Sequence, residues 1–315
     1  MTSMARPTTR VVIGGVDTHS QTHHAAVINE LGRPLGDREF TASPAGYRAL
    51  AGWLGGYGTL TTIGVEGTGS YGAALTRYLR TIGLTVVEVD RPDRKSRRAH
   101  GKSDPLDAYA AATAVLSGSA AAVPKLRDGR VEAIRALRVA RSSAVKARSQ
   151  ATNQIKALNI SGPPDLRELL RHLPTTKIIA SCARLRPSPQ LGDPAQATKT
   201  ALRRLARRHQ QLSEEISEAD HDITQLVGEV APDLLALPGV GPEVAGQLLT
   251  SAGDNPHRIT SEAAFAHLCG AAPVPASSGR VHRHRLNRSG DRHANNALYM
   301  SYSTRSATTH EAAPR

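Results

Sequence analysis

The first third of the chain alternates short β-branched runs with helical stretches. The first three predicted strands have tight links, which is typical of an antiparallel meander. The predicted strands are residues 11–19, 24–30, 36–43, 61–67 and 85–90, and the predicted helices between them are residues 44–55 and 71–82. A meander followed by βαβ units predicts an α/β domain, with a mixed sheet flanked by helices.

Two long stretches in the middle of the chain have apolar residues at every third or fourth position. They cover residues 128–158 and 202–230, and a Pro-rich interruption separates them. We expect two amphipathic helices that form an antiparallel coiled-coil arm or a dimerisation element. His209 falls on the seam of the second stretch, where we expect a polar break in the core rather than a ligand.

The remainder of the chain is predicted to be mostly α-helical. It begins with LLALPGVGPEVAGQLL (residues 234–249) and leads to a basic loop over residues 278–293. The last fifteen residues are rich in Ser, Thr and Ala and lack an apolar period, so we expect a loose tail. The predicted regions are an α/β domain over 1–125, a coiled-coil and linker region over 126–230, a helical C-terminal domain over 231–300 and a disordered tail over 301–315.

Charge narrows the class of partner. The 315 residues carry a formal net charge of +13, which favours nucleic acid first and an anionic membrane second. No apolar run has spanning length, and residues 1–10 lack the apolar core of a signal peptide. Aromatic residues are only 3% of the chain, so phosphate contacts from Arg and Lys are expected to outweigh base stacking. The two cysteines are far apart in sequence, which favours a reduced cytoplasmic protein. A nucleic-acid partner would place this protein at the nucleoid.

Four acidic residues stand where three predicted elements can converge. Asp17 and Glu66 end β-branched runs, and Asp104 and Asp107 lie three residues apart at the start of a predicted helix, which places them on one helix face. Two divalent cations need several hard oxygen ligands. Metal ions about 3.5–4 Å apart stabilise the attacking and leaving oxygens of a phosphoryl displacement. The pattern therefore predicts a site for two Mg²⁺ ions, with Mn²⁺ as a possible substitute.

Each acid also has a structural alternative. Asp104 precedes Pro105 and so has the sequence of an ordinary helix N-cap. Asp107 could complement the helix dipole. Asp17 or Glu66 could be a turn residue that follows a strand.

The segments GVDTH, GVEGTGSY and KSDPLDAYA together resemble the ribonuclease-H-like, RuvC-type nuclease domain of the DEDD transposases, the Piv/MooV insertion-sequence family. The resemblance implies that Asp17, Glu66, Asp104 and Asp107 are catalytic metal ligands. The run over residues 91–102 is interpreted as a phosphate-facing loop, with a solvated charge cluster as the alternative. Its candidate DNA-binding residues are Arg94, Lys95, Arg97, Arg98 and Lys102.

LPGVGPEVAGQLL has the form of a helix-hairpin-helix. Gly239 and Gly241 would allow a tight turn that exposes backbone N–H groups to phosphate. The alternative is a purely structural turn between two helices.

The region that follows is similar to the C-terminal domain of the same family, in which a proline is followed by a Ser-Gly pair, a basic stretch and a second glycine. Here these are Pro273, Ser278-Gly279 and Gly290. The resemblance implies that Ser278, rather than the neighbouring Ser277, is the nucleophile that becomes linked to DNA. On the bare sequence, Ser-Ser-Gly is more often only a turn. Residues suited to neutralise the phosphate are Arg280, Arg283, Arg285 and Arg288, and those suited to carry a proton are His282 and His284.

The resemblance implies a DNA transposase that cleaves and rejoins strands through a phosphoserine. Its expected partners are the element ends and target DNA, a structured guide RNA and further copies of itself in a dimer or tetramer. One alternative is a RuvC-like nuclease that uses the acids without serine chemistry. The other is an inactive nucleic-acid-binding relic, because family members usually continue with more helix where this chain becomes polar after Met300.

Overall fold

The computed structural model describes residues 10–90, 103–255, 257–278 and 281–311. The chain divides into two compact units. The first comprises Met1–Gly129 with Ala252–Thr260, and the second comprises Arg130–Ser251 with Ser261–Arg315.

A five-stranded sheet forms the centre of the first unit within the described residues. Its strands are β1 (Val11–Thr18), β2 (Thr22–Asn29), β3 (Pro34–Thr41), β4 (Thr59–Glu66) and β5 (Thr85–Val89). The spatial order is β3-β2-β1-β4-β5. The first three strands pair antiparallel, and β4 and β5 extend the sheet in parallel from β1. This mixed sheet confirms the predicted α/β architecture and is consistent with a ribonuclease-H-like fold.

Among the described residues, three helices flank this sheet: α1 (Pro44–Gly55), α2 (Ala73–Thr81) and α3 (Asp104–Leu116). Helices α1 and α2 pack on one face, where side chains such as Leu50 and Leu79 join the alternate apolar residues of the strands in one core. Side chains alternate between the faces of a strand, so the intervening strand residues face α3. Helix α3 packs against β1, β2 and β4.

The segment after α3 is held by a backbone bridge to β5 and by the side chain of Asn255. Ala122 forms an antiparallel bridge with Glu88 of β5. The Asn255 amide nitrogen donates to the carbonyl of Pro124 at 2.8 Å, and its oxygen accepts from the Leu126 amide at 3.0 Å. Residues 252–260 are thus built into the first unit although they lie far along the chain.

The second unit is mostly helical, as expected. Its elements are α4 (Arg130–Ser161), α5 (Pro164–Leu170), α6 (Thr175–Ala183), α7 (Pro194–Val230), α8 (Pro232–Leu235), α9 (Pro242–Ala252), α10 (Glu262–Leu268), β6 (Val274–Pro275), β7 (His284–Arg285) and α11 (Arg292–Glu311). No helix in the described parts of the chain is both long enough and apolar enough to cross a membrane.

Helices α4 and α7 pack against each other in antiparallel orientation. Ile134, near the start of α4, lies in one core cluster with Val227 at the end of α7. Ile155, near the end of α4, lies in another with Leu202. The two long helices are therefore confirmed, whereas the knobs-into-holes packing of a coiled coil stays a prediction. His209 is half-buried in α7, and burial lowers its pKa.

Two helix boundaries differ from the expectations. Helix α7 begins at Pro194 rather than near residue 202, because the Asp193 side chain accepts a hydrogen bond from the Ala195 amide and caps the helix. Residues 301–311 continue α11 instead of forming a loose tail. Asp291 caps that helix by accepting from the His293 amide at 2.8 Å, and residues 292–311 contain no Gly or Pro. The helix therefore continues without an apolar period.

Candidate functional site

Two glycines allow α3 to lie directly on the sheet. Gly15 and Gly64 each stand two residues before an acid, so they share its face of the sheet. A Cβ atom at Gly15 would lie 2.1 Å from the carbonyl oxygen of Ala108, and one at Gly64 would lie 2.7 Å from that of Ala111. Only glycine permits this approach, which brings the first turn of α3 to the carboxyl ends of β1 and β4.

The ends of β1 and α3 place two of the predicted acids around one histidine. His19 Nε2 lies 3.1 Å from Asp17 Oδ2 and 3.4 Å from Asp104 Oδ1. The Asp17 side chain is 8% exposed, whereas the His19 and Asp104 side chains are 39% and 43% exposed. Ligand atoms from all three residues lie within 4.8 Å of one another, a spacing that could hold a metal ion. This cluster is therefore open to solvent on one side.

The other two acids lie on β4, the strand that pairs with β1, and on α3 itself. Glu66 is the last residue of β4 and is buried, and its backbone oxygen accepts a hydrogen bond from the Thr18 hydroxyl at 2.8 Å. Asp107 is buried in the first turn of α3. Within the described residues, the group of mutually close ligand atoms comprises Asp17, His19 and Asp104, without Glu66 or Asp107. The structure thus brings two of the four acids within ligand distance of each other.

The N-cap alternative for Asp104 is wrong. Ser103 is the N-cap, with the extended backbone typical of that position, and Asp104 is the first residue inside α3. Its carboxylate lies beside His19 instead of capping the helix. The Asp17 side chain likewise belongs to a residue within β1 rather than to a turn after it.

His19 is the site residue that sequence reasoning missed. The signal was present in GVDTH, because residues two apart at a strand end point to the same face. His24, five positions on, is directed elsewhere: its Nε2 lies 2.8 Å from Asp37 Oδ1. His23 is fully buried and stacks on Tyr47.

Several predicted DNA-binding residues lie outside the described residues. They are Arg94, Lys95, Arg97, Arg98, Lys102 and Arg280. Arg283, Arg285 and Arg288 are exposed on and after the short β6–β7 hairpin of the second unit.

The hairpin distinguishes the two candidate serines. The Ser277 hydroxyl lies 3.3 Å from the Arg283 amide, which donates to it, so Ser277 takes part in holding the hairpin. Ser278 is exposed and bonds to Val281 through its backbone alone. In the part of the chain that the structure describes, no hydrogen bond involves the Ser278 hydroxyl. Of the two serine hydroxyls, that of Ser277 is thus the one engaged within the described part of the hairpin.

Gly239 and Gly241 lie in the turn between α8 and α9, as the hairpin motif predicts. Gly239 has φ +79°, and a Cβ atom there would lie 2.3 Å from the carbonyl oxygen of Ser301 in α11. Packing against α11 is thus a sufficient reason for glycine at 239. Gly241 has open space around it, and a phosphate contact at this turn stays a prediction.

Two sequence-family models match the chain, one over the region of the acidic residues and one over the region of the serine hairpin. A sequence model of the DEDD transposases of IS110, described as "Transposase", matches residues 14–158. A second, described as "Transposase IS116/IS110/IS902 family", matches residues 231–314. The chain belongs to the IS110 transposase family. Together the two matches include the acids, His19 and the serine hairpin of this transposase.

A relative from Streptomyces coelicolor, assigned as the mini-circle transposase for IS117, is 28% identical over 326 aligned positions. The alignment covers 86% of the present chain and 78% of the relative. This IS110-family transposase is accordingly an enzyme of DNA transposition, and DNA is its substrate.

Proposed function

We propose that this transposase cuts DNA at the acidic site of the first unit and rejoins it through Ser278. The observation that carries the proposal is the approach of Asp17 and Asp104 from different elements to within ligand distance of each other. Two carboxylates held together in this way repel each other unless positive charge lies between them. The arrangement therefore fits a site built for cations.

The chemistry of the donor set fits divalent metal ions. Asp17 and Asp104 supply the hard oxygen donors that Mg²⁺ and Mn²⁺ accept. Glu66 lies at the end of the neighbouring strand β4, and Asp107 lies with Asp104 in the first turn of α3. These four acids would hold the ions. Two bound ions would neutralise the charge that develops on the attacking and leaving oxygens of a phosphodiester.

Ser278 supplies the nucleophile in this scheme. Its Oγ attacks a phosphorus atom of the DNA, a P–Oγ bond forms, and the bond from phosphorus to one deoxyribose oxygen breaks. The Oγ proton passes to a base, and the released deoxyribose oxygen takes up a proton. A deoxyribose hydroxyl of the second DNA end then attacks the same phosphorus and displaces Oγ. The number of phosphodiester bonds is conserved, so the exchange needs no external energy source.

Basic side chains near Ser278 suit the charge of this step. Arg283 and Arg285 are exposed and can bind the phosphate oxygens as the charge on them increases. His284, between them in sequence, is exposed and can carry the proton. Arg280 and His282 are the further candidates of the basic stretch for these two roles.

Guidance by a structured RNA and action as a dimer or tetramer are part of the same proposal. A formal net charge of +13 with 3% aromatic residues supports binding to the backbone of a folded nucleic acid.

The test is excision of the element from a plasmid that carries it with its flanking DNA, with adducts trapped by rapid denaturation. Wild-type protein is expected to give rejoined plasmid and a protein–DNA adduct. Asp17→Asn should give neither, whereas Asp37→Asn, an acid of the same unit that binds His24 and Tyr109, should retain both. Ser278→Ala should give no adduct, and Ser277→Ala should still form it.

Each alternative has its own outcome. An adduct in Ser278→Ala would overturn the serine assignment. Cleavage by wild-type protein without any adduct would favour a RuvC-like nuclease. Binding without cleavage or rejoining would indicate an inactive binder.

A further inference from the structure

His19 stands between the two acids that approach each other at the site. Asp17 belongs to β1 and Asp104 to α3, and the His19 ring nitrogen Nε2 lies within 3.4 Å of a carboxylate oxygen of each. His19 directly follows β1. Its backbone amide donates a hydrogen bond to the Thr22 carbonyl at 3.0 Å. The hairpin between β1 and β2 thus fixes the backbone from which the ring extends.

The spacing of these atoms is that of neighbouring ligands on one ion. Adjacent donors of an octahedral ion with bonds of 2.0–2.1 Å lie about 3 Å apart. The observed separations from Nε2 are 3.1 Å to Asp17 and 3.4 Å to Asp104. A neutral imidazole nitrogen is also a common metal ligand.

The neighbouring histidines show that this orientation is particular to His19. The ring of His24 bonds to Asp37, which also accepts a hydrogen bond from the Tyr109 hydroxyl at 3.2 Å. The ring of His23 is fully buried and lies parallel to that of Tyr47 at 5.6 Å. Of these three histidines, His19 alone has its ring at the acids.

We propose that His19 is a direct nitrogen ligand of a divalent ion bound at Asp17 and Asp104. The inference rests on the proposed metal site of the first unit and adds a donor to it. A nitrogen donor changes the preference of the site among metals, because imidazole suits transition metals better than Mg²⁺. The mixed donor set would therefore raise affinity for Mn²⁺ relative to Mg²⁺ compared with a site of carboxylates alone.

The competing role for His19 is that of a hydrogen-bond donor that holds the two carboxylates without touching the metal. His19→Gln separates these roles. The Gln amide nitrogen can reach a position close to that of Nε2 and can donate a hydrogen bond, but it lacks the lone pair that binds a metal. His24→Gln is the matched control, because His24 lies on the next strand and pairs with Asp37.

The experiment uses full-length protein and Mn²⁺ alone as the probe. Electron spin-echo envelope modulation of bound Mn²⁺ should show coupling to a directly bound ¹⁴N nucleus. Selective ¹⁵N-histidine labelling should replace that pattern with the ¹⁵N pattern. The coupling should persist in His24→Gln and disappear in His19→Gln, with Mn²⁺ affinity lowered at least about tenfold. Circular dichroism and the melting temperature establish that both variants fold.

The outcomes separate this inference from the proposed function. Asp17→Asn should abolish tight Mn²⁺ binding; unchanged binding in that variant would overturn the acidic site and the His19 assignment together. Tight binding that requires Asp17 but shows no nitrogen coupling would leave the site intact and overturn the assignment of His19. Nitrogen coupling that persists in His19→Gln would also overturn it.

Discussion

Gly290 and Gly270 pack backbone against backbone in the second unit. A Cβ atom at Gly290 would lie 2.3 Å from the backbone nitrogen of Gly270 and 2.4 Å from its Cα. Close by, the Asp291 amide donates to the Leu268 carbonyl at 2.7 Å. Gly290, which follows the basic stretch, is thus the point at which the chain from the serine hairpin packs against the end of α10.

Gly290→Ala is expected to destabilise the second unit by about 3 kcal/mol, since the overlap is with backbone that cannot move aside. The measurement is the free energy of unfolding in urea, followed by circular dichroism. Gly228→Ala is the control, because Gly228 lies within α7 with open space around it. That change should stabilise the helix by about 0.5–1 kcal/mol. Equal effects at the two glycines would contradict the packing argument.

Gly15→Ala should displace α3 from the sheet and with it Asp104. We expect a loss of about 3 kcal/mol in the free energy of unfolding, because the contacted atom is the Ala108 carbonyl oxygen. Strand cleavage should fall further than the loss of folded protein explains, since Asp17 and Asp104 would separate. Cleavage per folded molecule is the quantity to measure.

Gly52→Ala is the matched control for Gly15→Ala. Gly52 lies within α1 of the same unit and has open space around its Cα. This variant should unfold at the wild-type denaturant concentration or slightly above it, with cleavage unchanged. Full cleavage by Gly15→Ala would show that α3 tolerates the added methyl group.

Sequence patterns predicted the strands of the first unit because β-branched residues are frequent in them, although β1, β2 and β4 are buried almost continuously rather than on alternating positions. The acids of GVD and GVE were equally visible, and so was their place at strand ends. The reason for a glycine two residues before each of these acids could not be seen in the sequence, because it depends on which helix packs against which strand. The position of His19 at the site was not predicted for a related reason. His19 lies beside Asp104, and only the packing of α3 against the sheet brings these two residues together.

The helical course of residues 301–311 illustrates a different limit. Periodicity detects a helix by its buried face, and α11 has buried residues near its start, at Ala294 and Ala297. Beyond them Tyr299, Met300 and Tyr302 are largely exposed. An exposed helix that continues from a buried start has no apolar period to recognise.

Asn255 should contribute to the stability of the first unit although it lies 126 residues beyond Gly129, where the main segment of that unit ends, by subtraction of 129 from 255. Asn255→Ala removes both bonds that fasten Pro124 and Leu126, at a cost of about 1–3 kcal/mol. Hydrogen exchange followed by mass spectrometry should show faster exchange of the Leu126 amide.

Asn153→Ala is the control for Asn255→Ala, since Asn153 is an exposed residue of α4. It should leave exchange at Leu126 unchanged and slightly favour its own helix. Unchanged protection of Leu126 in Asn255→Ala would mean that the segment is held without this side chain.

His23 gives the fold a dependence on pH. Its ring is fully buried against Tyr47, and neither ring nitrogen has a hydrogen-bond partner of normal geometry among the described residues. Burial lowers its pKa from the ordinary 6.5. In the unfolded chain His23 takes up a proton as the pH falls below about 6.5, whereas in the folded chain it resists until a lower pH. This residue therefore favours folding above pH 6.5 and loses that contribution as the pH falls towards its folded-state pKa.

His23→Phe should remove this dependence and keep the stacked ring. At pH 8 the variant should be at least as stable as wild type, since two unsatisfied buried nitrogens are lost. Below pH 6.5 the free energy of unfolding of His23→Phe should exceed that of wild type by an increasing amount. The increase is up to about 1.4 kcal/mol for each pH unit, which corresponds to the linkage of one proton. Urea unfolding at half-unit steps from pH 8 to pH 5 measures the difference.

His221→Gln, at an exposed position of α7, is the control and should follow the wild-type curve. A wild-type-to-Phe difference that stays constant over this range would show that His23 titrates alike in the folded and unfolded chains.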